Sequence, residues 1–219
     1  MHPGPSQTPS STTPRWLLAA YLCIWAGLAI APRYRADWLL ENIIVFIALP
    51  LFIRGARSRP LSDASYGCLF VFLVLHTIGA HYTYSEVPYD AWFRALTGES
   101  LNGALGWERN HYDRLVHFSY GLLLLPASVE LFDRVAPPRG LWRSLLPVLF
   151  IMSHSAIYEL IEWGAAAAFG GELGQAYLGT QGDVWDAQKD TALATLGAVA
   201  AMAVIRLRSL SVPRNRPSR

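Results

Sequence analysis

Three pairs of side chains have spacings that put them on one face of a helix. Asp113 and His117 are four residues apart, Asp186 and Asp190 also four, and Glu159 and Glu162 three. His81, His76, His154 and the Glu41–Asn42 pair add further polar groups to otherwise apolar stretches. Inward-facing carboxylates and imidazoles on bundled helices are how carboxylate-metal sites are built. Mixed imidazole and carboxylate sets suit Zn, Mn or Fe(II), and all-oxygen sets suit Mg or Ca. The same groups can relay protons or act as general acid and base. The expected metal ligands are His81, His117, Glu159, Glu162, Asp186 and Asp190, and the expected catalytic groups are Glu159, Glu162, His117 and Asp113. The cofactor this implies is a divalent metal ion. No Walker loop, GxSxG elbow, HExxH or dinucleotide fingerprint is present. Cys23 and Cys68 are too few for a disulfide framework or a thiolate zinc site and read as small apolar packing residues.

The elements that must hold these groups are membrane spans. Of 219 residues, 53% are hydrophobic and only 16% charged, against roughly 25% charged in a soluble domain. Six apolar stretches cover Trp16–Ala31, Trp38–Ile53, Ala64–Tyr82, Asp113–Phe132, Trp142–Ala168 and Ala187–Ile205. Each approaches the roughly 20 residues that cross a hydrocarbon layer. Pro50, Pro126 and Pro147 fall inside spans, where neighbouring helices can satisfy the freed carbonyls. Trp16, Trp38, Trp142 and Trp163 sit near span ends as interface anchors. The expectation is an all-α, polytopic transmembrane bundle of about six spans. Residues 1–15 form a Pro/Ser/Thr-rich disordered tail, residues 16–206 a single transmembrane domain, and residues 207–219 a basic tail. Arg15 and the Ala29-Ile30-Ala31 box resemble a secretory signal, but Pro32 disfavours cleavage, so the first span is read as a retained helix.

Charge sets the orientation. Twelve of the eighteen basic residues fall on the side that carries both termini, which is therefore read as cytoplasmic. Thirteen of the sixteen acids fall on or near the other side. The Arg-rich C-terminal segment is a topology signal beside anionic lipid rather than a nucleic-acid site. Expected partners are membrane lipids and a lipid-like substrate, with no nucleic acid, and the expected location is the bacterial cytoplasmic (inner) membrane.

Depth sharpens the site. At about 1.5 Å per residue, His76 lies roughly 18 Å along the third span and His117 about 6 Å into the fourth. Four or five spans thus place acids and histidines in one layer near the outer surface. An ionisable group at a span centre costs at least about 2.5–3.5 kcal/mol, so such groups need a reason. Asp113 and Asp186 have an ordinary one as helix N-terminal carboxylates. His76 or His154 alone would serve as a hydrogen-bonded interior residue, and Lys189 and Arg109 could pair with Glu159 and Glu162. The Thr83–Tyr112 loop includes YDAWFRAL, which fits a short interfacial amphipathic helix. Gly170–Asp186 is a glycine-rich cover loop. Gly197 and the Ala-rich run beside it allow close helix packing.

HTIGAHYTYSEVP (His76–Pro88), RNHYDRLVHFSYG (Arg109–Gly121), HSAIYELIEW (His154–Trp163) and GTQGDVWDAQKDTALATLGA (Gly179–Ala198) together resemble the YjdF-type family of uncharacterised bacterial inner-membrane proteins. The resemblance runs from about Trp16 to Ile205 and implies a multi-span cytoplasmic-membrane protein. More distantly the chain is similar to VanZ-like membrane proteins. Their shared features match Asp113 with His117, Glu159 or Glu162, and Asp183 with Asp186 and Asp190. That likeness implies a role near the envelope, although Asp190 and Thr191 stand where VanZ-like chains carry an Asn.

Two functions follow. One is a membrane-embedded, metal-assisted enzyme acting on a lipid or envelope precursor. The other is a proton- or cation-coupled small transporter. The enzyme is placed first because the charged layer lies to one side of the bilayer, whereas carrier sites sit near the midplane of repeated halves. A b-type haem between His76 and His154 is a third reading.

Overall fold

In hydrocarbon a chain must satisfy its own backbone N–H and C=O groups, and the helix does this within one segment. The computed structural model describes residues 12–58, 60–171 and 179–211. Among these, every regular element is helical. The long helices are α1 (Thr13–Leu28), α2 (Arg35–Ser58), α3 (Asp63–Tyr82), α6 (Tyr112–Val135), α7 (Trp142–Phe169) and α8 (Asp186–Ser211). Between α3 and α6 lie a 3-10 turn (Tyr84–Glu86) and two short helices, α4 (Tyr89–Thr97) and α5 (Leu101–Leu105). Five helices (α2, α3, α6, α7 and α8) are long and apolar enough to cross a membrane. With 16 residues, α1 is a shorter sixth.

The six stretches read from hydropathy are thus all helices, and Pro50, Pro126 and Pro147 lie inside unbroken ones. The bounds differ at both ends of the chain. Thr13–Arg15, assigned to the tail, opens α1, and α8 continues to Ser211 beyond the expected 206. The rest of both tails and most of the glycine-rich cover loop lie outside the described residues. The short helix expected in YDAWFRAL is α4, closed by Gly98 at φ 83°. Its Trp92 and Leu96 are exposed, as an interfacial helix requires. Trp16, Trp142 and Trp163 are exposed near helix ends, but Trp38 is not an anchor. It is buried against Trp25 of α1, ring centroids 5.6 Å apart. Cys23 is exposed on the bundle exterior rather than packed inside it.

α1 is part of the bundle. Tyr21 is buried against α3, where Thr77 Oγ1 donates to its hydroxyl at 3.3 Å. Trp25 Nε1 donates to Asn42 Oδ1 of α2 at 2.6 Å, and His81 of α3 donates to the Leu28 carbonyl at 2.7 Å. One apolar core joins Leu125, Ile151, Ala198, Ala201 and Met202 from α6, α7 and α8. Another joins Val87, Tyr112 and Val116 beneath the α3–α6 connection.

The closest approach is between α6 and α8, which run parallel. A Cβ on Gly121 would lie 2.7 Å from Ala198 N and overlap the Ala194 carbonyl oxygen. A Cβ on Gly197 would lie 2.8 Å from Leu122 N and overlap the Phe118 carbonyl oxygen. No side chain fits there, so two glycines facing one another let backbone meet backbone. The register is constant along the seam: Gly121–Ala198 and Arg109–Asp186 are both 77 residues apart.

Glu130 ties the other end of the bundle. Its carboxylate accepts from Ser62 N at 2.8 Å, Ser65 Oγ at 2.7 Å and Ser62 Oγ at 2.5 Å, joining the start of α3 to the end of α6. Arg134 and the Arg143–Asp133 pair lie at this end too. It is called the arginine end below, and the end where α2, α6 and α8 begin is called the acidic end.

Candidate functional site

The α6–α8 seam brings Asp113 and His117 of α6 beside Asp190 of α8. One ligand atom from each lies within 4.8 Å of the other two. Asp113 and Asp190 are again 77 residues apart, so the register fixed by the glycines places this pair. α7 contributes Glu159. His117 Nε2 sits 3.5 Å from Asp113 Oδ1 and 3.4 Å from Glu159 Oε1. Asp190 is 2% exposed, and its Oδ1 has no hydrogen-bond partner, nor has Glu159 Oε1.

Above this cluster lies a separate ion-pair network. Arg109 Nη1 donates to Asp186 Oδ1 at 2.8 Å and to the Thr180 carbonyl at 3.1 Å. Arg114 Nη2 donates to Asp183 Oδ2 at 2.5 Å, and Lys189 Nζ reaches the same oxygen at 2.6 Å. The Lys189 hydrogen bond, then that of the Trp185 backbone N–H, hold the Asp183 carboxyl down at about 2. His111, just before α6, is pushed below the ordinary imidazole value, first by burial and then by Arg114 and Arg109. Lys189 and Arg109, the two candidates to neutralise the glutamates, therefore serve Asp183 and Asp186 instead, together with Arg114. Among the described residues, no Lys or Arg forms an ion pair with Asp113, Glu159, Glu162 or Asp190.

Beside the cluster opens a cavity of about 710 Å³ between α2, α3, α6 and α7. Glu41, His76, Tyr84, Asp113, His117 and Glu162 line its acidic end. Val45, Leu51, Phe72, Leu124 and Ile151 line its length, which continues to Ser58 and Leu61 near the arginine end. Glu41 is buried and accepts from Tyr158 Oη at 3.1 Å, a polar link between α2 and α7. His76 is buried, with Nδ1 hydrogen-bonded to Tyr84 Oη at 2.5 Å and Nε2 without a partner. The tyrosine can lie there because residue 79 is glycine: a Cβ would meet its ring at 2.7 Å. Thr83, at φ 62°, turns the chain out of α3 and donates to buried Asp37 at 2.5 Å.

Of the expected site residues, Asp113, His117, Glu159 and Asp190 come together, and Glu162 joins them at the cavity wall. Asp186 belongs to the arginine network, bonded to Arg109. His81 donates to Leu28 between α3 and α1. His154, considered with His76 for haem, is exposed and donates to the Phe150 carbonyl of its own helix at 3.0 Å. Tyr84, Tyr158 and the Arg109–Arg114 clamp were not singled out from sequence as site elements. Tyrosines are ordinary near membrane interfaces, and the pairing of a loop arginine depends on tertiary geometry.

Comparison with known proteins agrees with this architecture. The family model described as "Predicted membrane protein (DUF2238)" matches residues 13–210. The chain is similar to Inner membrane protein YjdF of Escherichia coli (strain K12), 36% identical over 186 residues, covering 84% of this chain and 83% of that one. No solved structure matches it significantly.

Proposed function

Because the chain belongs to the DUF2238 family of multi-pass inner-membrane proteins, we propose that it is a membrane-embedded enzyme acting on an amphiphile, a lipid or lipid-linked envelope precursor. One observation carries the reading: a cavity of about 710 Å³ with an apolar length and one polar end. Its volume falls within the range of roughly 300–1,000 Å³ typical of small-molecule sites. An acyl or prenyl chain would occupy the space between α2 and α6–α7, with its head group beside Asp113, His117 and Glu162. Those groups supply a general base and a general acid within one low-dielectric pocket, where proton transfer to a reacting oxygen gains most. A divalent ion at the same end would polarise that oxygen as a Lewis acid. With both termini read as cytoplasmic from the arginine bias, the polar end would face the outer leaflet.

The test compares lipid and envelope-precursor profiles of cells that carry the wild-type gene, no gene, His117→Ala or Ala127→Trp. Ala127 lines the cavity away from the polar end. The expected result is one amphiphile that accumulates without the gene and with either variant, at wild-type protein levels. Identical profiles in all four strains would overturn the reading. The cavity's reach from Glu41 to Ser58 also favours a second reading, a proton- or cation-coupled transporter. In liposomes, pH-gradient-driven uptake with no chemical change would select it.

A further inference from the structure

We propose that Asp113, His117 and Asp190, completed by Glu159, bind one divalent transition-metal ion. The claim goes beyond the enzyme reading: it concerns binding and stands whether or not the cavity takes a substrate.

The first argument is spacing. A good N–H···O hydrogen bond spans about 2.7–3.2 Å. The two contacts of His117 Nε2, at 3.5 Å to Asp113 and 3.4 Å to Glu159, are longer than that. Ligands bound tetrahedrally at about 2.0–2.2 Å stand roughly 3.3–3.6 Å from one another. The contacts match the separation of donors that share an ion.

The second argument is the unpartnered atoms. Asp190 is 2% exposed and keeps Oδ1 unbonded, and Glu159 Oε1 is buried and unbonded. A buried carboxylate oxygen without a donor is costly, and in a membrane span no water shell offsets it. The nearby cations cannot relieve it, since Arg109, Arg114 and Lys189 are bonded to Asp183 and Asp186. What remains is protons on the carboxyls or a metal among them. The imidazole nitrogen at the centre of the carboxylates favours the metal. Three carboxylates with one imidazole resemble the oxygen-rich sets that bundles use for Mn and Fe(II), with Zn(II) as a competitor.

The full-length protein in nanodiscs, stripped with chelator and desalted, is titrated with Mn²⁺, Zn²⁺ or Mg²⁺ alone. Bound metal and thermal unfolding are both read. The expected result is one Mn²⁺ or Zn²⁺ per chain and a Tm rise of about 5–10 °C at a hundredfold excess over Kd. Mg²⁺ should give a far smaller rise. Asp190→Asn and His117→Gln should lose both effects, and Glu108→Gln, on the exposed loop of the same end, should keep them. Less than one ion per five chains in the loaded wild type would overturn the proposal and leave a proton-sharing carboxyl cluster. Equal loading of wild type and Asp190→Asn would overturn it as adventitious binding. Should the variants fail to fold, pulsed EPR on the Mn²⁺-loaded wild type decides: imidazole ¹⁴N coupling is expected, and its absence counts against the site.

Discussion

Where α6 crosses α8, backbone meets backbone; where α2 faces α6 and α7, a cavity of about 710 Å³ intervenes. The seam is held by two facing glycines, a shared apolar core and the Arg109–Asp186 pair. α2 is held through α3, through Trp25 of α1 and, across the opening, by the Tyr158–Glu41 hydrogen bond. The contrast separates two requirements. The seam fixes Asp113, His117 and Asp190 against one another, as the proposed metal site would require. The opposite wall is looser, as entry of the proposed amphiphile would require.

The largest effect expected is at the seam. Gly121→Ala should cost about 3 kcal/mol or abolish folded protein, because the new methyl meets backbone that cannot move aside. Gly55→Ala on α2, where a Cβ meets nothing within 4 Å, should instead be neutral or stabilise by up to about 1 kcal/mol. Denaturant unfolding of the two variants checks the pair, and equal costs would break the comparison. Next comes Arg109→Ala. It leaves the nearly buried Asp186 with only the longer contact to Arg114 at 3.6 Å and should cost about 2–3 kcal/mol, read in the same assay. Tyr158→Phe removes the hydrogen bond to Glu41 and should cost about 1 kcal/mol. Because that bond closes the looser wall, the variant should also raise the exchange rate of a spin-labelled lipid with the cavity. The smallest effect concerns acid. Asp183 has its carboxyl held at about 2, below its ordinary value of 3.8. Its contribution is fully present above that ordinary value and fades as pH falls through about 2. The Tm difference between wild type and Asp183→Asn should therefore be constant from pH 7 to 5 and shrink below pH 3.

The spans were legible because hydropathy acts locally, residue by residue. The polar layer was legible too, since i,i+4 spacing and depth are counted along one helix. Pairing between helices was not. Asp186 and Asp190 share a helix face, yet one meets Arg109 and the other meets Asp113 and His117. Nothing within α8 separates those fates; the rotation and register of α6 do. Likewise Trp38 carries every mark of an interface anchor and is buried, because a short α1 brings Trp25 against it. Gly197 was noticed for close packing, but its partner Gly121, in the midst of FSYGLLLL, gave no sign of its role.

The constant separation of 77 residues along the seam has a consequence for biosynthesis. A ribosome adding roughly 5–20 residues per second delivers Asp190 some four to fifteen seconds after Asp113. During that interval α6 must enter the bilayer carrying Asp113 and His117 without its helical neighbour. The cluster is assembled only when α8 leaves the insertion machinery and slides against Gly121. Insertion of the sixth long helix is thus the step that completes the site, and nascent chains arrested before it should remain bound at the translocon.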